Sequence, residues 1–225
     1  MSPSSEMVSL ERQARVQKML SDRLGSVCVI AEAIHRRHNT SAILRSCEAF
    51  GVHEVHLITG RFRTSRGAAR GAERWLDLHR WATIGECVAH LRARGYRVFV
   101  GDLTDEAHTP DTLPVDGPVA ILFGNELNGV SDEARALADG SVIVPMRGLT
   151  ESLNVSVAAA CVLQRVTERR RQQVGGGDLP AERQEAFFTA WLAREELAKR
   201  GVIARVGRST LSKAGERSAK RQTPD

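Results

Sequence analysis

The sequence lacks the features of a membrane-spanning or secreted protein. No apolar run approaches the roughly 20 residues that a membrane-spanning helix needs, and the N-terminal segment MSPSSEMVSLERQ has no apolar signal core. Cysteine is scarce and no CxxC pair occurs, which argues against a disulfide framework or a thiolate metal site. We therefore predict a cytoplasmic protein with reduced and mostly buried thiols, at Cys28, Cys47, Cys87 and Cys161.

Signatures of several common enzyme classes are also missing. No GxGxxG turn opens a helix, so the usual dinucleotide-binding fingerprint is absent. The seven histidines form no metal-ligand pattern, and no Ser-His-Asp order is compelling. We therefore predict no bound metal, and the chemistry has to come from other residues.

The length and composition are typical of one globular domain with appendages. The 225 residues are 42% hydrophobic and carry a net charge of +5. The charge is uneven: from Lys199 onward, eight basic and two acidic residues make a tail of +6, so residues 1–198 are near neutral. Such a tail attracts a polyanion by charge alone, and it also suits a solvated, disordered end; both interpretations can hold together.

One stretch in the second half of the chain organises the rest. Val119–Phe123 and Val142–Val144 are predicted as buried strands. Each runs into a loop that contains a glycine, Gly124 or Gly148, where the backbone can approach a ligand closely. A helix is then predicted to begin at Val155. This order indicates a ligand site at the carboxyl edge of a parallel sheet.

Upstream of that stretch, predicted strands and helices alternate, which favours a parallel α/β sheet with right-handed crossovers. A short amphipathic helix from Leu10 to Asp22 is followed by a buried strand, Val27–Ile34. The next helix ends at Gly51, and its first turn can be capped by Asn39, Thr40 or Ser41.

Downstream, Gly175–Gly177 is predicted to be a flexible hinge before a helix from Ala181 to Arg200. The chain is thus predicted to have three parts. They are an N-terminal helical extension at residues 1–25, a central domain at residues 26–172, and a C-terminal helix with a basic tail at residues 173–225.

Three segments resemble the motifs of one enzyme family. NTSAILRSCEAFGV, FGNELNGVSDEA and VIVPMRGLTESLNVSVAAA, in this order, are similar to the motifs of the SpoU (TrmH) branch of the SPOUT RNA methyltransferases. The resemblance covers roughly residues 10 to 171. It implies a parallel sheet flanked by helices, with a deep trefoil knot at its C-terminal end. It also implies S-adenosylmethionine as the methyl donor, an RNA substrate and a homodimer.

The resemblance assigns catalytic roles to Arg45, Asn39, Glu126 and Asn154. Arg45 would hold the phosphate beside the target ribose, because an arginine hardly serves as a free base. Asn39 and Asn154 would orient Arg45 or the ribose, and Glu126 would shape the pocket. The residues alone allow ordinary interpretations, namely helix caps, a surface charge and a loop tether. The matching spacing of the three motifs favours the catalytic interpretation.

Two further sets of residues are candidates for binding. The S-adenosylmethionine pocket is expected at Leu103, Thr104, Gly124, Ile143, Pro145, Met146, Ser152 and Leu153. RNA phosphates are expected to contact basic residues near both ends of the chain and in an arginine-rich loop, namely Arg12, Arg15, Arg63, Arg66, Arg70, Lys199 and Arg200. For the N-terminal helix, a plain solvated face is at least as good an interpretation.

Within the family, the domain organisation favours a tRNA substrate. Only about 25 residues precede the first strand, too few for the extra RNA-binding domain that many ribosomal RNA methyltransferases of the family carry. The sequence looks most like members that methylate the 2′-hydroxyl of guanosine 18 in the D-loop of tRNA. The alternatives are methylation of ribosomal RNA or of another tRNA position, and RNA binding without catalysis.

Overall fold

The computed structural model describes residues 8–34, 36–58, 71–104, 106–125 and 127–199. Helices and strands alternate along most of this length. They are α1 (Leu10–Ser21), β1 (Leu24–Glu32), α2 (Arg37–Ala49), β2 (Val52–Ile58), a short 3₁₀ helix (Ala72–Trp75), β3 (Asp77–Trp81), α3 (Ile84–Ala93), β4 (Arg97–Gly101), β5 (Val119–Phe123), α4 (Asp132–Leu137), β6 (Gly140–Val142), α5 (Val155–Val174) and α6 (Ala181–Lys199). No helix in these ranges is long and apolar enough to cross a membrane.

The six strands form one parallel sheet in the order β3-β2-β1-β5-β4-β6. Residues 119–123 of β5 are buried throughout, as expected for a central strand of a sheet covered on both faces. The predicted parallel α/β sheet flanked by helices is confirmed. The trefoil knot stays a prediction.

Two apolar layers cover the sheet. On one face, Ile43 of α2 and Leu163 of α5 belong to a cluster with alternate residues of β1 and β5. On the other face, Leu91 of α3 and Ala134 of α4 pack against the remaining residues of the same strands. Three cysteines are buried in these layers, as predicted, whereas Cys161 on α5 is exposed.

The two terminal helices pack against each other in a third cluster. Val16 and Leu20 of α1 meet Phe188 and Trp191 of α6, and all four side chains are buried. The expected docking of the C-terminal helix is thus observed, with the N-terminal helix as its main contact. The division of the chain into three parts stays a prediction.

A buried carboxylate also fastens α6 to the sheet. Glu54 of β2 is fully buried, and its carboxylate lies 2.8 Å from an Nη2 atom of both Arg94 and Arg183. Burial raises the pKa of Glu54, but hydrogen bonds from Arg94 and His56 outweigh this and hold that pKa well below its usual range. Because Arg183 belongs to α6, this buried charge links the C-terminal helix to the sheet.

The basic end of α5 is used inside the molecule. Arg169, Arg170 and Arg171, which we call the arginine clamp, donate hydrogen bonds to main-chain carbonyl groups of segments far away in sequence. The accepting carbonyls belong to Pro110 and Leu113 for Arg169, Val115 for Arg170, and Asp22 and Phe50 for Arg171. The clamp therefore holds three connections of the fold in place.

Several element boundaries differ from the prediction. The helix α2 begins at Arg37 and its N-cap, Arg36, makes no capping bond through its side chain, so the cap predicted at Asn39, Thr40 or Ser41 is wrong. The strand β6 ends at Val142, which forms an isolated parallel bridge with His108: the N–H of His108 donates to the carbonyl of Ser141, and the N–H of Ile143 donates to the carbonyl of His108. The short helix α4, capped by the Ser131 hydroxyl, was not predicted.

The predicted hinge at residues 175–177 is a packed turn. A Cβ added at Gly177 would lie 2.1 Å from the carbonyl oxygen of Ser21. The next residue, Asp178, accepts hydrogen bonds from the backbone N–H groups of Gly25 (2.7 Å) and Ser26 (3.1 Å). The turn is therefore fixed to the start of β1.

Candidate active site

Four strands end side by side at one edge of the sheet. Ala31 of β1 is in register with Phe123 of β5, and Gly101 of β4 is in register with Val142 of β6. The helix α2 begins shortly after β1, and α5 follows the loop after β6. The carboxyl ends of these strands and the N-terminal ends of two helices therefore frame one site, as the sequence predicted.

The two asparagines assigned to catalysis meet at this edge. Asn154 donates from Nδ2 to Oδ1 of Asn39 over 3.2 Å, across 115 residues of sequence. The side chain of Asn39 is buried in the first turn of α2, with 1% of the residue exposed. Asn154 is also the N-cap of α5, since its Oδ1 accepts from the backbone N–H of Ser156. Asn154 therefore caps α5 and also contacts Asn39 at the candidate site.

Arg45 lies on the same helix as Asn39 and is exposed. It follows Asn39 by six residues, which corresponds to about 9 Å along a helix axis. Its guanidinium makes no ion pair or hydrogen bond with any residue in the described ranges. A guanidinium that no described residue pairs with can take a phosphate group with two parallel hydrogen bonds. Glu126 lies outside the described residues.

The loop after β5 is tightly packed around Gly124. A Cβ added there would lie 2.3 Å from the carbonyl oxygen of Gly129, so only glycine fits this backbone. The next residue, Asn125, pairs with Gly129 through two backbone hydrogen bonds. By contrast, a Cβ added at Gly148 would have nothing within 4 Å. The close backbone approach expected at both glycines is observed at Gly124 alone, and it is an approach to the protein's own backbone.

The candidate cofactor residues lie along the same edge. Leu103, Thr104, Pro145, Ser152 and Leu153 are exposed, Ile143 and Met146 are half-buried, and Gly124 is buried. The Thr104 hydroxyl is hydrogen-bonded to the hydroxyl of Ser141 at the end of the sheet. Residues 144–153 make no hydrogen bond to other described residues. Their free N–H and C=O groups suit S-adenosylmethionine, whose adenine edge, ribose hydroxyls and amino acid part all need hydrogen-bonding partners.

The predicted RNA contacts are only partly described. Arg15 is exposed on α1. Arg12 is engaged within the protein, 3.1 Å from Glu195 and above the ring of Trp191. The arginines at positions 63, 66, 70 and 200 lie outside the described residues, as does the side chain of Lys199.

Two further side chains, of Glu32 and Asn125, lie at this edge and were not predicted as site residues. Glu32, the last residue of β1, is 7% exposed and accepts hydrogen bonds from the N–H (3.0 Å) and the hydroxyl (2.6 Å) of Ser131. Asn125 donates from Nδ2 to the carbonyl of Ala33 over 2.9 Å. Each of the two is a polar residue at or just after the end of a buried strand, and this position in the sequence could have marked it as a candidate for the site.

Comparison with known proteins identifies relatives of this chain. A sequence model of the SpoU rRNA methylase family matches residues 26–164. The chain is 42% identical over 166 residues to the tRNA (guanosine(18)-2′-O)-methyltransferase of Escherichia coli K12, covering 73% of this chain and 72% of that protein. It is 37% identical over 188 residues to the enzyme of the same name from Thermus thermophilus, covering 81% and 96%.

The fold is also similar to solved structures. The Aquifex aeolicus TrmH/SpoU tRNA modifying enzyme matches with a TM-score of 0.73 and 27% identity, covering 82% of this chain and 96% of that one. The SpoU methyltransferase AviRb of Streptomyces viridochromogenes, solved in complex with S-adenosylmethionine, matches with a TM-score of 0.57. At 24% identity, the second match supports the fold.

Proposed function

This chain belongs to the SpoU rRNA methylase family, and we propose that it transfers the methyl group of S-adenosylmethionine to the ribose 2′-hydroxyl of guanosine 18 in tRNA. Relatives at 42% and 37% identity carry the name of this activity and are covered over most of their length. The observation that carries the proposal is the hydrogen bond between Asn39 and Asn154 at the sheet edge, with Arg45 on the same helix as Asn39 and paired with no described residue.

The chain's own residues have two tasks in this reaction. Bound S-adenosylmethionine supplies a methyl group that is already activated by its sulfonium, so the protein has to align and activate the 2′-hydroxyl. Arg45 holds the phosphate next to the target ribose, its positive charge stabilises the negative charge that develops on the 2′-oxygen, and the hydroxyl proton passes to a phosphate oxygen or to water. Asn39, fixed by Asn154, orients that end of α2. For Glu126, which follows Asn125 in the sequence, we expect a role in shaping the pocket.

The test is methyl transfer from labelled S-adenosylmethionine to three RNAs. They are an unmodified tRNA transcript, the same transcript with a 2′-deoxy residue at guanosine 18, and ribosomal RNA. We expect label on the first transcript alone. Equal label on the deoxy transcript would refute the position, and label on ribosomal RNA alone would refute the tRNA substrate. Cofactor binding without transfer to any of them would contradict the enzymatic role.

Variants of Arg45 test the role of its side chain. Arg45→Ala should lower kcat by about 100-fold or more, and Arg45→Lys should recover only part of it, because lysine lacks the planar two-point grip on a phosphate. Arg97→Ala is the matched control, since Arg97 is a partly exposed arginine at the start of β4, the opposite end of the sheet. Unchanged kcat in Arg45→Ala would remove Arg45 from the mechanism.

We also propose that the protein works as a homodimer in the cytoplasm, where its tRNA substrate is found. Apolar side chains are exposed beside the site: Leu149 fully, Val157 at 48% and Leu153 at 38%. A second copy that covers them would remove this apolar surface from water. Light scattering should give twice the chain mass of 24.6 kDa. Val157→Glu should yield monomers, whereas the control Leu10→Glu, at a leucine that is 80% exposed on α1, should not.

A further inference from the structure

Two loops that carry proposed catalytic residues leave neighbouring strands of the sheet and are joined by one side chain. The chain leaves β1 at Glu32 and β5 at Phe123, on neighbouring strands. The first exit leads to Asn39 and the second leads to Glu126. A displacement of either loop by about 1 Å can cost about 100-fold in rate, because the reacting groups then lose their alignment.

The side chain of Asn125 connects these two exits. Its Nδ2 donates to the carbonyl of Ala33 over 2.9 Å, which reaches the first loop. Its Oδ1 accepts from the N–H groups of Leu127 (2.7 Å) and Asn128 (3.3 Å), which shapes the second loop. The side-chain amide of Asn125 therefore stabilises the loop after β5 and connects it to the loop after β1.

The backbone at the accepting carbonyl is strained. Ala33 has a φ of +48°, the left-handed region, and is the only non-glycine residue with positive φ in the described ranges. Such a conformation is unfavourable for an alanine, so it persists where surrounding contacts hold it. The contacts are the bond from Asn125 to the Ala33 carbonyl, the bond from the Ala33 N–H to the carbonyl of Ile58 (3.4 Å) and, one residue earlier, the bonds between Glu32 and Ser131.

We propose that Asn125 is a positioning residue for methyl transfer: its side-chain amide holds the loop that leads to Asn39 against the loop that carries Glu126. This inference rests on the proposed function for its kinetic consequence. Its structural part, the coupling of the two loops, does not depend on the reaction. Glu32 supports the same arrangement from the side of α4.

The substitution that tests this is Asn125→Asp. It keeps the acceptor for Leu127 and Asn128 but replaces the donor to Ala33 with an oxygen that repels the carbonyl. We expect kcat to fall by about 10- to 100-fold while the KM for tRNA changes by less than about 3-fold. The activity ratio of variant to wild type should rise as the pH falls, because the introduced carboxyl donates a hydrogen bond again once it is protonated.

Asn128→Asp is the matched control. It introduces the same charge three residues away, at an exposed side chain that makes no hydrogen bond in the described ranges. Its kcat should equal that of the wild type. Hydrogen exchange provides a readout that is independent of activity: Asn125→Asp should speed exchange in residues 33–45 and 127–131 together, and Asn128→Asp should not.

The outcomes separate this inference from the proposed function. An inactive wild type would refute the function, and the exchange experiment would still test the coupling. An active wild type with normal kcat in Asn125→Asp, or with faster exchange in one loop only, would overturn the positioning role. A kcat loss that does not vary with pH relative to the wild type would also overturn it, since the lost donor would then not be the cause.

Discussion

Gly124→Ala is the substitution whose effect follows most directly from the structure. The added Cβ would lie 2.3 Å from the carbonyl oxygen of Gly129, 2.4 Å from its carbonyl carbon and 2.4 Å from the backbone nitrogen of Val130. All three atoms are backbone, so no side chain can rotate away and the loop has to open. Overpacking of this kind costs about 2 kcal/mol, which lowers Tm by about 4–8 °C for a chain of this size.

Gly117→Ala is the control because it makes the same chemical change outside the candidate site, where the added Cβ would meet only an Nη2 atom of Arg97 at 3.9 Å. Its Tm should stay within about 1 °C of the wild type or rise slightly, since alanine restricts the unfolded chain. Calorimetry gives Tm, and titration of S-adenosylmethionine gives Kd. We expect weaker cofactor binding for Gly124→Ala alone. Equal Tm and equal Kd for the two variants would refute the packing that we describe around Gly124.

Three further predictions concern stability. Burial lowers the pKa of His53 to about 4, so below about pH 6.5 the unfolded chain binds a proton at this residue that the folded chain does not bind. The free energy of unfolding, measured by urea titration, should therefore be about 1 kcal/mol lower at pH 5.5 than at neutral pH, and the decrease should be smaller in His53→Gln. Asp178→Ala leaves the N–H groups of Gly25 and Ser26 without acceptors and should cost about 2–4 kcal/mol in thermal unfolding, with Asp178→Asn costing less. Arg169→Ala frees two carbonyls in the connection before β5 and should speed hydrogen exchange there, with no change in the salt dependence of RNA binding.

Much of the fold could be predicted from the sequence, because apolar runs and glycine-containing loops mark the strands and their ends. The buried run Val119–Phe123 is β5 as predicted. The end of β6 was misplaced, since the strand stops at Val142 and the apolar run continues to Val144 without marking that end. The beginning of α2 was misplaced because Arg36 adopts a capping backbone conformation without a capping side chain.

Site residues could be predicted where a sequence motif contains them, but not where their role depends on a contact between segments distant in sequence. Asn39 and Asn154 were identified from their motifs, and the structure brings them together across 115 residues. Asn125 stands inside a recognised motif, but its bond to Ala33 depends on how two strand exits are placed in space. Arg12 was expected to face RNA, yet its partner Glu195 lies on a helix whose docking position the sequence does not reveal. Its RNA-binding role stays a prediction.

The arginine clamp has a consequence for the order in which the newly made chain can fold. Its hydrogen bonds join residues separated in sequence by 55 to 149 positions. Such distant contacts slow folding, because the intervening chain has to lose conformational entropy before the hydrogen bonds can form. Until Arg169, Arg170 and Arg171 have left the ribosome, the carbonyl groups that accept hydrogen bonds from them in the folded protein lack these donors. The connections that the clamp joins therefore reach their final contacts only after the end of α5 has been synthesised.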